Sequence, residues 1–416
     1  MVDFGSPKLK LPKLESSPSV NCTISNRLFG LLCQPLLAFL DKAVVTHRAD
    51  YRARKFKAAT HLLVTLFAHL TQVESSNALL EALNDLTCSG QEPGLRALVG
   101  FNFTEWGQPV TLNQSSFSRA MAHRSYRLWK YCFHRLYHLA GRHCSNSELA
   151  GLGRVIAVDG TLLDCLGRMA WAAYRTTTHK LKGHLFFDLA GIPERLVLTV
   201  GRGSEREVLR THLKPEVTYL LDRGYNDYIL FEQIVLAGSH FVTRLLKNAL
   251  YWPQLDYPVS YQAEQLGVIS DQQIRLGDPY TGPLFRLVVY CGLDGKEYRY
   301  ITSRFDVDSL TIVRLYEWRW QIERFFAWAK RHLQFAHWYS ENENGVLIQL
   351  YAGLISFLLL KIYATHLAKD EYRAMRLDFV RWVRRHLFSL VEPSQFKHYL
   401  ELLFSPDLLN QSSPSG

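Results

Sequence analysis

The sequence predicts a mixed α/β protein: a mixed sheet interrupted by a β-rich insertion, with a helical region on either side. Three observations lead there. Residues 154–246 carry short β-branched runs, three separated by short turns and two more flanking a helical stretch. Residues 247–310 follow with prolines and glycines set around two alternating runs, FRLVVYCG and EYRYITSRF. The flanks instead repeat their apolar residues at helical spacing. A chain of 416 residues, 48% hydrophobic and 21% charged, can bury a substantial core and has an ordinary globular balance.

Residues 1–25 are polar, hold no apolar run of signal-peptide length, and read as a disordered leader. A helical N-terminal region, expected to bind DNA, spans 26–150. It opens with Leu31, Leu32, Leu36, Leu37 and Leu40, then the basic YRARKFK at 51–57, then HLLVTLFAHL. Glycines and prolines over 86–113 mark a loop-rich connection. From Ser115 helix resumes, with Arg119, His123, Arg124, Arg127, Lys130 and Arg135 among aromatic residues. That stretch reads either as a DNA-facing surface or as a solvated face whose aromatics belong to the core.

The first part of a mixed-sheet core spans 151–246. RVIAVDG, KGHLFFDL and RLVLTVG predict three antiparallel strands. VTYLLDRGY, the helical NDYILFEQIVLAG and HFVTRLL then predict a strand, a helix and a strand, with the later strands parallel to the first. The β-rich insertion covers 247–310, the last core helix 311–345, and a helical C-terminal region with a frayed tail 346–416. Within that region GVLIQLYAGLISFLLLKIY approaches membrane-span length, yet contains Gln349 and Ser356 and reaches Lys361. A buried helix is expected there and no membrane contact. Residues 373–387, RAMRLDFVRWVRRHL, read as a basic amphipathic helix.

Net charge is +10, from 48 Lys and Arg against 38 Asp and Glu, which favours a polyanionic partner. The seven cysteines are scattered with no C-x-x-C pair, which fits a reducing cytoplasm and argues against structural zinc.

Two aspartates follow apolar strand runs. Asp159 closes VIAV ahead of Gly160, and Asp222 closes VTYLL ahead of Arg223, Gly224 and Tyr225. If the strands are neighbours, both carboxylates meet at one sheet end, where open α/β sheets bind ligands. YEWRWQIERFFAWAK at 316–330 then places Tyr316, Arg319, Glu323 and Lys330 within an arc of about 60° on one helix face, at about 100° per residue. Trp318, Ile322, Phe325 and Ala329 form an apolar stripe on another side. Taken singly, each aspartate could be a turn former and Glu323 an ion-pair partner of Arg319. Taken together they suit a pair of Mg²⁺ ions beside a phosphate backbone, since two ions roughly 3.5–4 Å apart activate an attacking hydroxyl and stabilise a leaving oxygen.

DG at 159–160, DRGY at 222–225 and the Y, R, E and K of 316–330, with gaps of two, three and six, resemble the signatures of bacterial insertion-sequence transposases of the IS-four family. The resemblance covers about 154–345, with no departure at the four signature positions. Residues 26–85 are also similar to the helical domain that precedes the core in one branch. It implies a ribonuclease-H-like core, with Asp159, Asp222 and Glu323 as the DDE metal ligands. It further implies Tyr316, Arg319 and Lys330 as DNA contacts, two Mg²⁺ ions replaceable by Mn²⁺, and cut-and-paste transposition through a hairpin intermediate. The expected partners are double-stranded DNA, as the element's terminal inverted repeats and as target, and a second copy of the chain in the DNA complex. The expected location is the cytoplasm, at the nucleoid. Relatives can stack a tryptophan on a flipped base; Trp252 is the first candidate here, ahead of Trp318 and Trp320. Arg223 could contact phosphate or form a salt bridge, and Lys182 and His184 could approach the DNA. A metal-dependent nuclease without strand transfer, and a DNA-binding regulator with a dead core, are the alternatives.

Overall fold

Four-residue apolar spacing folds the first helix, α1 (Leu28–Thr46), which buries Leu28, Leu32, Leu36 and Leu40 along one side. α2 (Ala58–Thr71) is buried from end to end. α3 (Ser76–Asn84) starts where the Ser75 hydroxyl accepts the Ala78 N–H. The expected loop-rich connection holds a short α4 (Leu95–Leu98) and an antiparallel pair, β1 (Thr104–Glu105) and β2 (Gln108–Pro109). α5 (Gln114–His123) and α6 (Arg127–Gly141) follow. Trp129, Phe133 and Tyr137 of α6 are buried, while Arg119, His123, Arg127 and Arg135 stay exposed. Arg124 turns inward, donating to the Phe56 carbonyl at 2.5 Å. The computed structural model describes residues 27–85, 95–99, 101, 104–105, 108–142, 144, 147–165, 169–175, 178–333, 337–367 and 377–387. The leader, part of the 86–113 connection, residues 373–376 and the tail lie outside the described residues.

The core begins with β3 (Arg154–Asp164), β4 (Ala173–Arg175), β5 (Thr178–Asp188) and β6 (Ile192–Val200). Then come α7 (Glu205–Thr211), β7 (Val217–Leu221), α8 (Tyr228–Leu236) and β8 (His240–Arg244). β3, β5 and β6 are antiparallel neighbours, whereas β7 runs parallel to β3 and β8 parallel to β7. The order β6–β5–β3–β7–β8 is the ribonuclease-H-like arrangement. α7 was not among the expected elements, because seven residues rich in charge carry little apolar periodicity. Its signal was nonetheless present: Ser204 followed three residues later by Glu207, the Ser204 hydroxyl accepting the Glu207 N–H.

The insertion supplies β9 (Tyr251–Asp256), α9 (Tyr261–Gln265), β10 (Val268–Leu276), β11 (Leu284–Cys291) and β12 (Glu297–Thr302). Rather than forming a separate sheet, it extends the core sheet in the order β8–β12–β11–β10–β9, because Tyr300, Ile301 and Thr302 pair with Arg244, Thr243 and Val242. Asp271 and Arg286, buried within it, pair at 2.6 Å.

The chain ends in α10 (Ser309–Trp318), α11 (Trp320–His332), α12 (Glu343–Leu367) and α13 (Leu377–His386). Alternation sorts the sheet into two faces. Ile156, Val158, Tyr219, Leu221 and Phe241 pack under α7 and α8. Val155, Ala157, Leu220, Val242 and Tyr300 face the larger core that contains α10, α11 and α12. Among the described residues α1 and the stretch 343–364 are long and apolar enough to cross a membrane, but the second is mostly buried inside the protein. α12 packs on α1, α2, α5 and α6, so the helices of the two chain ends share one core. Gln349, inside α12, accepts the Tyr339 N–H and donates to the His337 carbonyl.

Candidate active site

Strand register builds the site. Val158 of β3 lies opposite Leu221 of β7, and Leu221 opposite Thr243 of β8. The next residues along the three parallel strands are Asp159, Asp222 and Arg244. Asp159 was expected at a strand end. Instead β3 runs on to Asp164 against β5, and it is the shorter β7 that stops, leaving Asp159 where the two strands part. Val158 and Leu221 belong to the face under α7 and α8, so alternation turns Asp159 and Asp222 to the face that α11 covers.

Each aspartate is oriented by a nearby glycine peptide. The Gly160 N–H donates to the Asp159 carboxylate at 2.7 Å, and the Gly224 N–H to the Asp222 carboxylate at 2.8 Å. The Thr243 hydroxyl donates to the Asp222 carbonyl at 3.0 Å, tying this turn to β8. Burial pushes the Asp159 carboxyl up to about 6, the charges of Asp222 and Glu205 add to it, and the Gly160 N–H and Arg319 oppose it. Clustered carboxylates of this kind fit a hard divalent cation. Tyr225, at the same turn, has a fully buried hydroxyl with no hydrogen-bond partner among the described residues.

The expected single helix through 316–330 is two helices meeting at Arg319. The Arg319 N–H donates to the Tyr316 carbonyl and the Ile322 N–H to the Arg319 carbonyl, both at 3.2 Å and both reaching back three residues, which tightens the turn. Ile322, Phe325 and Ala329 face the core as the apolar stripe requires, with Trp318 half-buried. Arg319 is buried and donates to the Glu323 carboxylate at 2.7 Å. Its guanidinium lies 5.5 Å from the Tyr316 ring centre and 5.8 Å from that of Trp320. Tyr316 is buried against Tyr300, with ring centres 5.0 Å apart. Lys330 is exposed and lines a small crevice with Thr161, Gly183, Phe325 and Phe326, on the same face as Asp159. Arg319 influences Asp159 electrostatically, so its ion pair with Glu323 stands near the aspartates. Among the described residues, however, no three acids, histidines or cysteines are gathered as a ready ion site. Glu323 is engaged with Arg319.

Other expected residues sit elsewhere. Arg223 is exposed and makes no ion pair among the described residues. Trp252 lies on edge strand β9, opposite Arg275. From β7 that is five strand spacings, roughly 24 Å along the sheet. Lys182 and His184 lie across from Leu162 and Gly160, on the face opposite Asp159; Lys182 pairs with Glu205, and His184 shares a hydrogen bond with Thr199. Sequence reasoning missed Arg244, which shares the row and face of the two aspartates and lies 4.4 Å from the Tyr298 ring centre. Aligning the ends of VTYLLD and HFVTR, two parallel strands, would have found it. Trp320 is 57% exposed beside Arg319.

Residues 150–359, about half of the chain, match the transposase DDE domain family. A Sinorhizobium fredii protein named as a transposase is 30% identical over 234 residues, 54% of this chain and 65% of that protein. A Geobacillus stearothermophilus protein named as a transposase for an insertion sequence element is 25% identical over 241 residues, 55% of this chain and 61% of that one. The chain thus spans slightly less than two thirds of these relatives. The solved piggyBac transposase synaptic complex with hairpin DNA aligns with a TM-score of 0.41 at 11% identity, over 94% of this chain and 83% of that one. The family match spans both aspartates and Glu323, and the chain belongs to the transposase DDE domain family.

Proposed function

We propose that this chain is a DNA transposase that moves an insertion sequence by divalent-cation-dependent strand cleavage and strand transfer. The observation that carries this reading is the row formed by Asp159 and Asp222, each one residue past the last paired residues of the adjacent parallel strands β3 and β7. It lies under α11, which carries Glu323 and Lys330 and has Arg319 at its N-terminal cap. Carboxylate oxygens in that arrangement match hard cations, and surrounding arginines match phosphate.

Asp159, Asp222 and Glu323 would hold two Mg²⁺ ions, or Mn²⁺ in their place. Such ions make an attacking hydroxyl more nucleophilic and stabilise the departing oxygen. The chain's own residues do the rest. Arg244, Arg319, Lys330 and the exposed Arg223 fix the phosphates flanking the scissile bond. Arg319 has a second task. Its guanidinium holds Glu323, and a strand phosphate drawing on the same guanidinium frees the carboxylate to turn toward Asp159 and Asp222. Tyr316 supports Arg319 from beneath, and Trp320 stacks on an unpaired base during hairpin formation.

The DNA partners are the element's inverted repeats and a target duplex, and two copies of the chain act together because two ends must be cut and joined in one complex. The basic helical surface at 114–141 contributes to holding those ends, and the 26–150 and 346–416 helices act as one supporting region. The cytoplasmic nucleoid is the expected location.

The test is cleavage of a duplex carrying an element end, with Mg²⁺, by the full chain and by Asp159→Asn. Cleavage lost in the variant while end binding persists supports the reading; equal cleavage removes it. A labelled precut end joined to a supercoiled plasmid separates transposase from nuclease, since a nuclease would leave the two unjoined.

A further inference from the structure

The first turn of α7 lies behind both of the glycine peptides that orient the aspartates. Gly160 faces α7, and a Cβ there would stand 2.5 Å from the Glu205 carboxylate and 2.9 Å from the Lys182 stem, so those two side chains would have to shift. Its backbone is not left-handed, so a Cβ there would displace those side chains rather than strain the chain. The obstruction is the ion pair of Lys182 with Glu205, at 2.7 Å and partly buried. The next residue, Arg206, donates to the Gly224 carbonyl at 3.0 Å. Arg206 and Arg210 also pair with Asp227, at 3.7 and 2.8 Å, so α7 grips the whole turn after β7. Gly160 and Gly224 are the residues whose N–H groups donate to Asp159 and Asp222.

Resting on the transposase reading above, we propose that Glu205 and Arg206 are positioning residues for the acid pair. They never touch the cation. Glu205, braced by Lys182, sets the Gly160 peptide and through it the Asp159 carboxylate; Arg206 sets the Gly224 peptide and through it Asp222. Two carboxylates on separate strands are thereby held at one spacing by consecutive residues of one short helix. Loosening either hold degrades cation binding before it affects the fold.

The experiment is a Mn²⁺ titration of the full chain without DNA, read from the electron paramagnetic resonance signal of the free ion, with a thermal melt of each variant. Asp159→Asn is the reference for the site and loses the binding. Gly160→Ala and Arg206→Ala each weaken it about tenfold. Glu205→Ala weakens it as well, and Glu205→Gln, which keeps the side chain's volume against Gly160, recovers most of that loss. Arg206→Lys, which keeps a donor for the Gly224 carbonyl, recovers most of what Arg206→Ala loses. A merely structural role would produce neither recovery. If Asp159→Asn loses Mn²⁺ while Gly160→Ala and Arg206→Ala bind like the unaltered chain, the positioning proposal is overturned and the transposase reading stands. If Asp159→Asn binds normally, that reading falls, and the positioning proposal with it.

Discussion

Two of the acids ride on strands and the third on a helix, and the supports differ in kind. Asp159 and Asp222 follow paired residues of adjacent strands, and each accepts a hydrogen bond from a glycine N–H close by in the chain. Among the described residues Glu323 has no such backbone anchor; it is held by one side chain, Arg319, four residues earlier. The strand acids are therefore set by the fold, whereas the helix acid is set by an ion pair that a phosphate can compete for. A rigid pair with one movable member can stay unassembled until DNA arrives.

Lengthening or shortening the acids tests that contrast most strongly. Asp222→Glu should cut nicking about a hundredfold, because a displacement near 1 Å in a fixed site costs about that much. Glu323→Asp should cost only about tenfold, the helix side being able to adjust. Equal losses in the two variants would erase the distinction.

Acidity gives the next effect. The Asp159 carboxyl is raised to about 6 in the fold from an ordinary 3.8. A raised acid favours the folded state while protonated, so without cation its contribution is full below about pH 4 and is lost as pH rises through about 6, a change on the order of 2 kcal/mol. Melts of Asp159→Asn should lack this decline. The Arg319 charge lowers the Asp159 value, so Arg319→Ala should move the midpoint upward; an unmoved midpoint would separate the Arg319–Glu323 pair from the strand acids. Smallest is the aromatic effect. Trp320→Ala should slow hairpin formation by about tenfold or less, the worth of one stacked base, while Trp252→Ala leaves it unchanged; the reverse result would move the stacking site to the insertion.

The sheet was legible because its strands announce themselves: β-branched runs, two of them closed by DG and DRGY, marked the strands and the parallel direction of β7 and β8, while which strands are neighbours stayed open. What escaped depended on relations between segments. β3 outruns its expected end because β5 pairs with it as far as Asp164, and nothing within VIAVDGTLLD marks where β7 stops. The break at Arg319 follows from reach-back bonds three residues long in a sequence that reads as one helix. Arg244 became visible only when β8 was set in register beside β7. α7 was missed for its shortness, although its capping residues stood in the sequence, and it is the element that sits behind both aspartates.

α12 carries one more consequence. The helices at the front of the chain lean on a segment translated long after them, so in a nascent chain α1, α2 and α6 can pack on one another while their side toward α12 stays uncovered until residues 343–367 are made. Part of their apolar surface therefore stays open until late in synthesis, and exposed surface of that kind is prone to aggregate.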